Sequence, residues 1–116
     1  MGIFSRDKPA KDPPVQSRAD NEQLVKDFLR GQNLEQVGKV DDAIALYEAA
    51  VRARFDSSGP YDRLIFIYQQ RASHQDVIRV ATASLGSVHT YPQKTAWYQT
   101  QIDNARKASD STPEAI

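Results

Sequence analysis

A chain of 116 residues is the size of one domain with a single core. Its 15 Lys+Arg offset 15 Asp+Glu, so the basic surplus of a nucleic-acid binder is missing. With no cysteine there are no disulfides, thiolate zinc sites or cysteine nucleophiles, a composition that fits a reducing cytoplasm.

In chain order, residues 1–19 are polar and carry Pro9, Pro13 and Pro14. Such a segment buries too little apolar surface to offset its ordering entropy and is expected to be a disordered tail. Its Ile3-Phe4 pair is too short for the apolar region of a secretory signal. Gly2 lacks the Ser or Thr at the sixth position that a myristoylation motif wants, where Arg6 stands. No apolar run approaches the roughly 20 residues of a membrane helix, and no membrane partner is expected.

Residues 20–108 hold dense apolar content at helical spacing, and 109–116 form a second polar tail. Asp20 can cap a first helix whose Leu24, Val25, Phe28, Leu29, Leu34 and Val37 precede a stop at Gly38. Asp41 can cap a second helix containing Ala43, Ile44, Tyr47, Ala50 and Val51. Gly59-Pro60 opens a third, with Tyr61, Leu64, Ile65 and Tyr68. Ser73-His74-Gln75-Asp76 reads as a capping box for a fourth, which runs to a left-handed terminator at Gly86. A fifth starts near Pro92, includes Trp97, Tyr98 and Ile102, and fades after Ala108. Alone, Leu64–Tyr68 and Val77–Val80 would pass for buried strands, being β-branched and aromatic; the caps on either side favour helix. The fold class is therefore all-α.

Shifting Gly38–Val51 by 34 residues lays it over Ala72–Leu85. Asp42 meets Asp76, Ile44 meets Ile78 and Ala49 meets Ala83, and Gly38 meets the small residue Ala72. A period of 34 is the length of one helix-turn-helix repeat. With Gly31, Gly38, Ala43, Tyr47 and Ala50 at the small and aromatic positions, the chain resembles the tetratricopeptide repeat (TPR) family. The likeness spans about residues 20–108: one good repeat, one divergent repeat with Ile65 and Ala81 at positions the family fills otherwise, and a capping helix. Pro60 and Pro92 are 32 apart instead of 34.

The resemblance implies antiparallel helix pairs in a superhelix and a concave face, built from the first helix of each pair, that grips a peptide. By position that face takes Phe28, Gln32, Glu35 and Gln36, then Asp62, Phe66, Gln69 and Gln70, then Ala96, Thr100, Asp103 and Asn104. Each set has i, i+4, i+7, i+8 spacing, one helical face. The same positions also fit ordinary solvated faces, with Phe28 and Phe66 turned into the core. The carboxylate clamp of the family's chaperone-binding branch is not expected, because Phe28, Gln32, Arg63, Gln93 and Trp97 stand at its positions and only Arg63 could still grip a carboxylate. Trp97 and Tyr98 mark a second surface, through which the chain would assemble with copies of itself.

Enzyme readings lack parts. His74 and His89 are the only histidines and share no metal-ligand spacing. A serine nucleophile needs a positioned base and an oxyanion site, and Ser87 and His89 are merely loop neighbours. Gly38-Lys39 lacks the upstream glycine and following hydroxyl of a phosphate loop, and Asp41-Asp42 suit a helix start. The sequence therefore predicts a cytoplasmic, cofactor-free interaction module that binds a protein or peptide, with a self-assembling structural or regulatory subunit as the alternative.

Overall fold

The computed structural model describes residues 18–111. The expected tails lie almost wholly outside these residues. Arg18 and Ala19 belong to the first helix, however, and Ser109–Ser111 to the last.

Among the described residues the chain forms α1 (Arg18–Gln36), α2 (Val40–Arg52), α3 (Ser58–Gln70), α4 (His74–Ser87) and α5 (Thr95–Ser111). One 3-10 turn, Pro92–Lys94, leads into α5. The strand-like runs 64–68 and 77–80 are helical, because their side chains fill a shared core that outweighs local propensity. Each helix packs on the next, and the short loops make neighbours antiparallel.

Three of the four loops begin with the same helix stop. The N–H of Lys39 donates to Leu34 O while that of Gly38 donates to Glu35 O. Phe55 and Arg54 repeat the pattern on Ala50 and Val51, as do Ser73 and Ala72 on Tyr68 and Gln69. These are Schellman motifs, whose pivot needs a left-handed backbone. The pivots Gly38, Arg54 and Ala72 have φ of 85°, 58° and 55°. Gly38 and Ala72, paired by the 34-residue shift, thus share a backbone role as well as a small side chain. The expected stop at Gly86 is not one: α4 runs through it to Ser87, and Val88 ends the helix in an extended conformation. The capping expectations also change. Asp20 and Asp41 lie inside first turns, and Ser73 holds the N-cap position without a side-chain capping bond.

The close approach of α1 and α2 rests on size. Ala43 is fully buried, and a Cβ built on Gly31 would lie 2.6 Å from Tyr47 Cε1. At α3 a Cβ on Gly59 would lie 2.6 Å from Phe28 Cζ. The helices enclose one continuous core, centred on Tyr47, Tyr61, Leu64, Ile65, Val77, Val80 and Tyr98. Four tyrosines are buried in it, and each hydroxyl donates: Tyr47 to Glu35, Tyr61 to Phe55 O, Tyr68 to Glu48 and Tyr98 to Asp62. A buried phenol without an acceptor would lose about 1–3 kcal/mol, so these partners are part of the packing.

Candidate functional site

Side-chain bonds place α1, α3 and α5 along one face. Arg63 of α3 forks onto Glu35 of α1, with Nε 2.9 Å from Oε1 and Nη2 2.6 Å from Oε2. Asp62 of α3 accepts from Lys94 at 2.7 Å and from Tyr98 at 2.9 Å. Farther along, Gln69 donates to Gln101 of α5 at 2.7 Å. We call this the odd-helix face.

The carboxylates that the sequence offered for recognition are engaged inside the protein. Glu35 takes both Arg63 and the Tyr47 hydroxyl. Arg63's hydrogen bonds hold the Glu35 carboxyl below its ordinary pKa, against the opposing effect of burial. Burial, reinforced by Glu35, pushes the Tyr47 phenol well up. Asp62 is tied to Lys94 and Tyr98 in the same way, and burial with the adjacent Asp62 charge raises the Tyr98 phenol. A third group of this kind joins α2, α3 and α4. There Glu48 accepts from Tyr68 and, at 3.0 and 2.7 Å, from the two terminal nitrogens of Arg79. Burial alone would raise the Glu48 pKa, but Arg79 and Tyr68 together lower it. The Tyr68 phenol is pushed up to about 12 by burial and by Glu48. Each group is a carboxylate receiving one buried phenol and one cation; two of them join three successive helices, and the Asp62 group joins α3 to the 3-10 turn and α5.

What remains open on the odd-helix face is apolar and amide. Phe66 is 47% exposed, with the Arg63 guanidinium 4.8 Å from its ring centre. Trp97 is 40% exposed, with Lys94 Nζ 4.3 Å from its ring centre. Because Lys94 holds Asp62, and Phe66 lies one turn beyond Asp62, the two rings share the face. Gln32 and Gln36 line a depression of about 300 Å³ with Glu35 and Arg63. Gln69 and Asn104 line a cleft of about 160 Å³ with His74, Val77, Ala105 and Ala108. Gln70 is exposed.

Three expected site residues require correction. Phe28 is half-buried and packs its ring 5.8 Å from that of Tyr47 and against Gly59, so it is engaged in the α1–α2–α3 packing instead of standing free as an anchor. Tyr98 is 1% exposed and belongs to the core, which leaves Trp97 alone of the expected assembly surface. Asp103 pairs with Gln99 along the exposed outer side of α5. Ala96 and Thr100 are also exposed, but the residues of α5 that touch α3 are Tyr98 and Gln101. The contacts Asp62–Lys94 and Gln69–Gln101 both span 32 residues, the Pro60–Pro92 spacing, so a 34-residue shift misplaces this helix.

Two residues of this face escaped the sequence reading. Val25 and Leu29 stand with Gln32 and Gln36 at i, i+4, i+7, i+11, a single stripe, and both are exposed. Thus four of the six exposed large apolar side chains among the described residues (Val25, Leu29, Phe66 and Trp97) lie on the odd-helix face. The 4-3-4 spacing was a readable signal, because Phe28, one position away, is the residue whose direction packs on α2.

Elsewhere, Asp56 ties the α2–α3 loop to the loop before α5 by accepting from the backbone N–H groups of His89 and Thr90, at 2.6 and 3.0 Å. Among the described residues no three potential ligands gather as a metal site, and no helix is long and apolar enough to cross a membrane. No family model, curated protein or solved structure matches the chain.

Proposed function

We propose that the chain is a non-enzymatic interaction module, TPR-like in plan, whose odd-helix face binds an apolar segment of a partner protein. The observation that carries this reading is the pair of half-exposed rings, Phe66 and Trp97. Each is stacked by a cation already bound to a carboxylate, so both are held in place. Ordered aromatics that lose little entropy on contact are the side chains that anchor interfaces. The amides of Gln32, Gln36 and Gln70 can donate to and accept from a peptide backbone. Neutralised charges at the centre favour a partner strip without net charge, unlike the acidic tail that a carboxylate clamp grips. The 34-residue correspondence of Gly38 with Ala72, in sequence and in backbone, supports the TPR-like plan.

The test uses full-length parent and a Phe66→Ala/Trp97→Ala double variant as baits in a lysate of the source cell. Retained proteins are identified by mass spectrometry, and affinity is measured on the purified partner. Hot-spot truncations cost about 2 kcal/mol or more, so the partner's affinity falls by roughly 30-fold or more while helical content is unchanged. If both baits retain the same proteins, or only copies of themselves, the face is not a binding site.

A further inference from the structure

The five helices pack in chain order, so α1 and α5 are the two ends of the stack. A stack of helices stays soluble when its terminal helices turn polar faces outward. α5 obeys this rule, since from Gln99 onward every exposed residue it carries is polar. α1 does not. Its Val25 and Leu29, one turn apart, are 46% and 52% exposed. Arg18 and Glu22 before them, and Gln32 and Gln36 after them, continue one stripe at 4-3-4-3-4 spacing. The charges beside this stripe are unequal. On one flank Phe28 meets Gly59 and Glu35 meets Arg63, so α3 is already seated there. At about 100° per residue, Lys26 and Arg30 stand on the opposite, open flank, one position after Val25 and Leu29. Both are exposed, and among the described residues neither makes an ion pair. With Arg18, three cations surround the stripe against the single carboxylate of Glu22.

We propose that the α1 end takes an acidic amphipathic helix of a partner protein. Apolar residues of that helix at i and i+4 cover Val25 and Leu29, and its carboxylates meet Lys26 and Arg30. The occupant is a helix because alternating steps of three and four are the spacing by which one helix meets another along its length. It is acidic because the open flank offers two exposed cations with no carboxylate of their own. A second copy of α1 fits poorly. In an antiparallel pair, flanks of like position face each other, which sets Lys26 and Arg30 against the same two residues of the copy; like charges in contact select against that pairing. The stripe lies at the α1 end of the odd-helix face, apart from Phe66 and Trp97, and its binding does not rest on theirs.

Two stapled helical peptides serve as probes. Both carry leucines at i and i+4; one has glutamates on the flanks of that pair, and the other has lysines at the same positions. Each is titrated into the full-length chain while the Val25 and Leu29 methyl signals are followed, and affinity is read from the fluorescence anisotropy of labelled peptide. The glutamate peptide is expected to shift both methyl signals and to bind roughly tenfold or more tightly than the lysine peptide. Leu29→Ser, at an exposed position, weakens it by about tenfold or more. Lys26→Glu/Arg30→Glu inverts the preference, so that the lysine peptide becomes the tighter binder, a gain that a damaged fold does not produce. All of this persists in a Phe66→Ala/Trp97→Ala background, which separates the stripe from the two rings. Equal affinity for the two peptides, a preference that survives the charge reversal, or binding lost with Phe66 and Trp97 would overturn the proposal. So would methyl shifts that appear on raising the protein concentration without peptide, which assign the stripe to a second copy.

Discussion

Gly38 and Ala72 occupy one backbone role with different side chains, so exchanging them isolates the cost of a left-handed pivot. A side chain with a Cβ held at φ near +55° suffers roughly 1–2 kcal/mol from its contact with the following carbonyl. Ala72 is exposed, so Ala72→Gly removes that strain without opening a cavity. Opposing the gain, glycine raises the entropy of the unfolded chain by about 0.4–1 kcal/mol. The net expectation is a stabilisation of about 0.5–1 kcal/mol, a rise of roughly 2–8 °C in Tm for a domain of this size. Gly38→Ala is the reverse experiment. A Cβ there meets nothing within 4 Å, so only the backbone term acts and stability falls by about the same amount. Gly86 supplies the control. A Cβ on it also meets nothing within 4 Å, but it lies within α4, where alanine is favoured over glycine by about 1 kcal/mol. Urea unfolding monitored by circular dichroism should therefore move the midpoints of Gly38→Ala and Gly86→Ala in opposite directions. Equal signs for these two, or destabilisation by Ala72→Gly, would refute the assignment of positions 38 and 72 as equivalent left-handed pivots.

Two further outcomes are expected. Gly31→Ala places a Cβ 2.6 Å from the buried Tyr47 ring, whose hydroxyl is fixed to Glu35 of the same helix as Gly31; overpacking there should cost about 1–3 kcal/mol in the same unfolding assay. Glu35 and Glu48 have folded pKa values below the ordinary 4.5, so their stabilisation is complete above that value and is lost as pH falls through the depressed ones; the urea midpoint should drop on acidification, with a shallower slope in Glu35→Gln.

The helices were legible because apolar spacing and punctuation agree along most of the chain. Gly38 marked a real left-handed stop, and the 34-residue shift found its equivalent at Ala72, where composition gives no hint of positive φ. Gly86 misled because a glycine near a helix end has the same composition whether it pivots or continues the helix; the difference lies in the loop beyond it. Less of the site could be read. The engaged state of Glu35 depends on Arg63, 28 residues away, and becomes visible only once α1 and α3 are neighbours in a fixed rotation. The carboxylate-to-phenol distances in sequence are 12, 20 and 36 for Glu35–Tyr47, Glu48–Tyr68 and Asp62–Tyr98, so no period reveals them. Tyr98 was misassigned because the 3-10 turn at Pro92–Lys94 sets the rotation of α5, and a turn of that kind leaves little trace in hydrophobic spacing.

The three carboxylate groups also bear on how the chain is made. Each draws on three elements, with the farthest bond spanning 36 residues, between Asp62 and Tyr98. During synthesis the N-terminal part of a chain emerges first and folds as it becomes available. Glu35, Tyr47 and Arg63 are all present once α3 has left the ribosome, when α4 and α5 are still to come. The second group then needs only α4, and the third only the start of α5. A nascent chain can therefore satisfy its buried phenols in the order in which they appear, and only the Tyr98 hydroxyl waits for the last helix to begin.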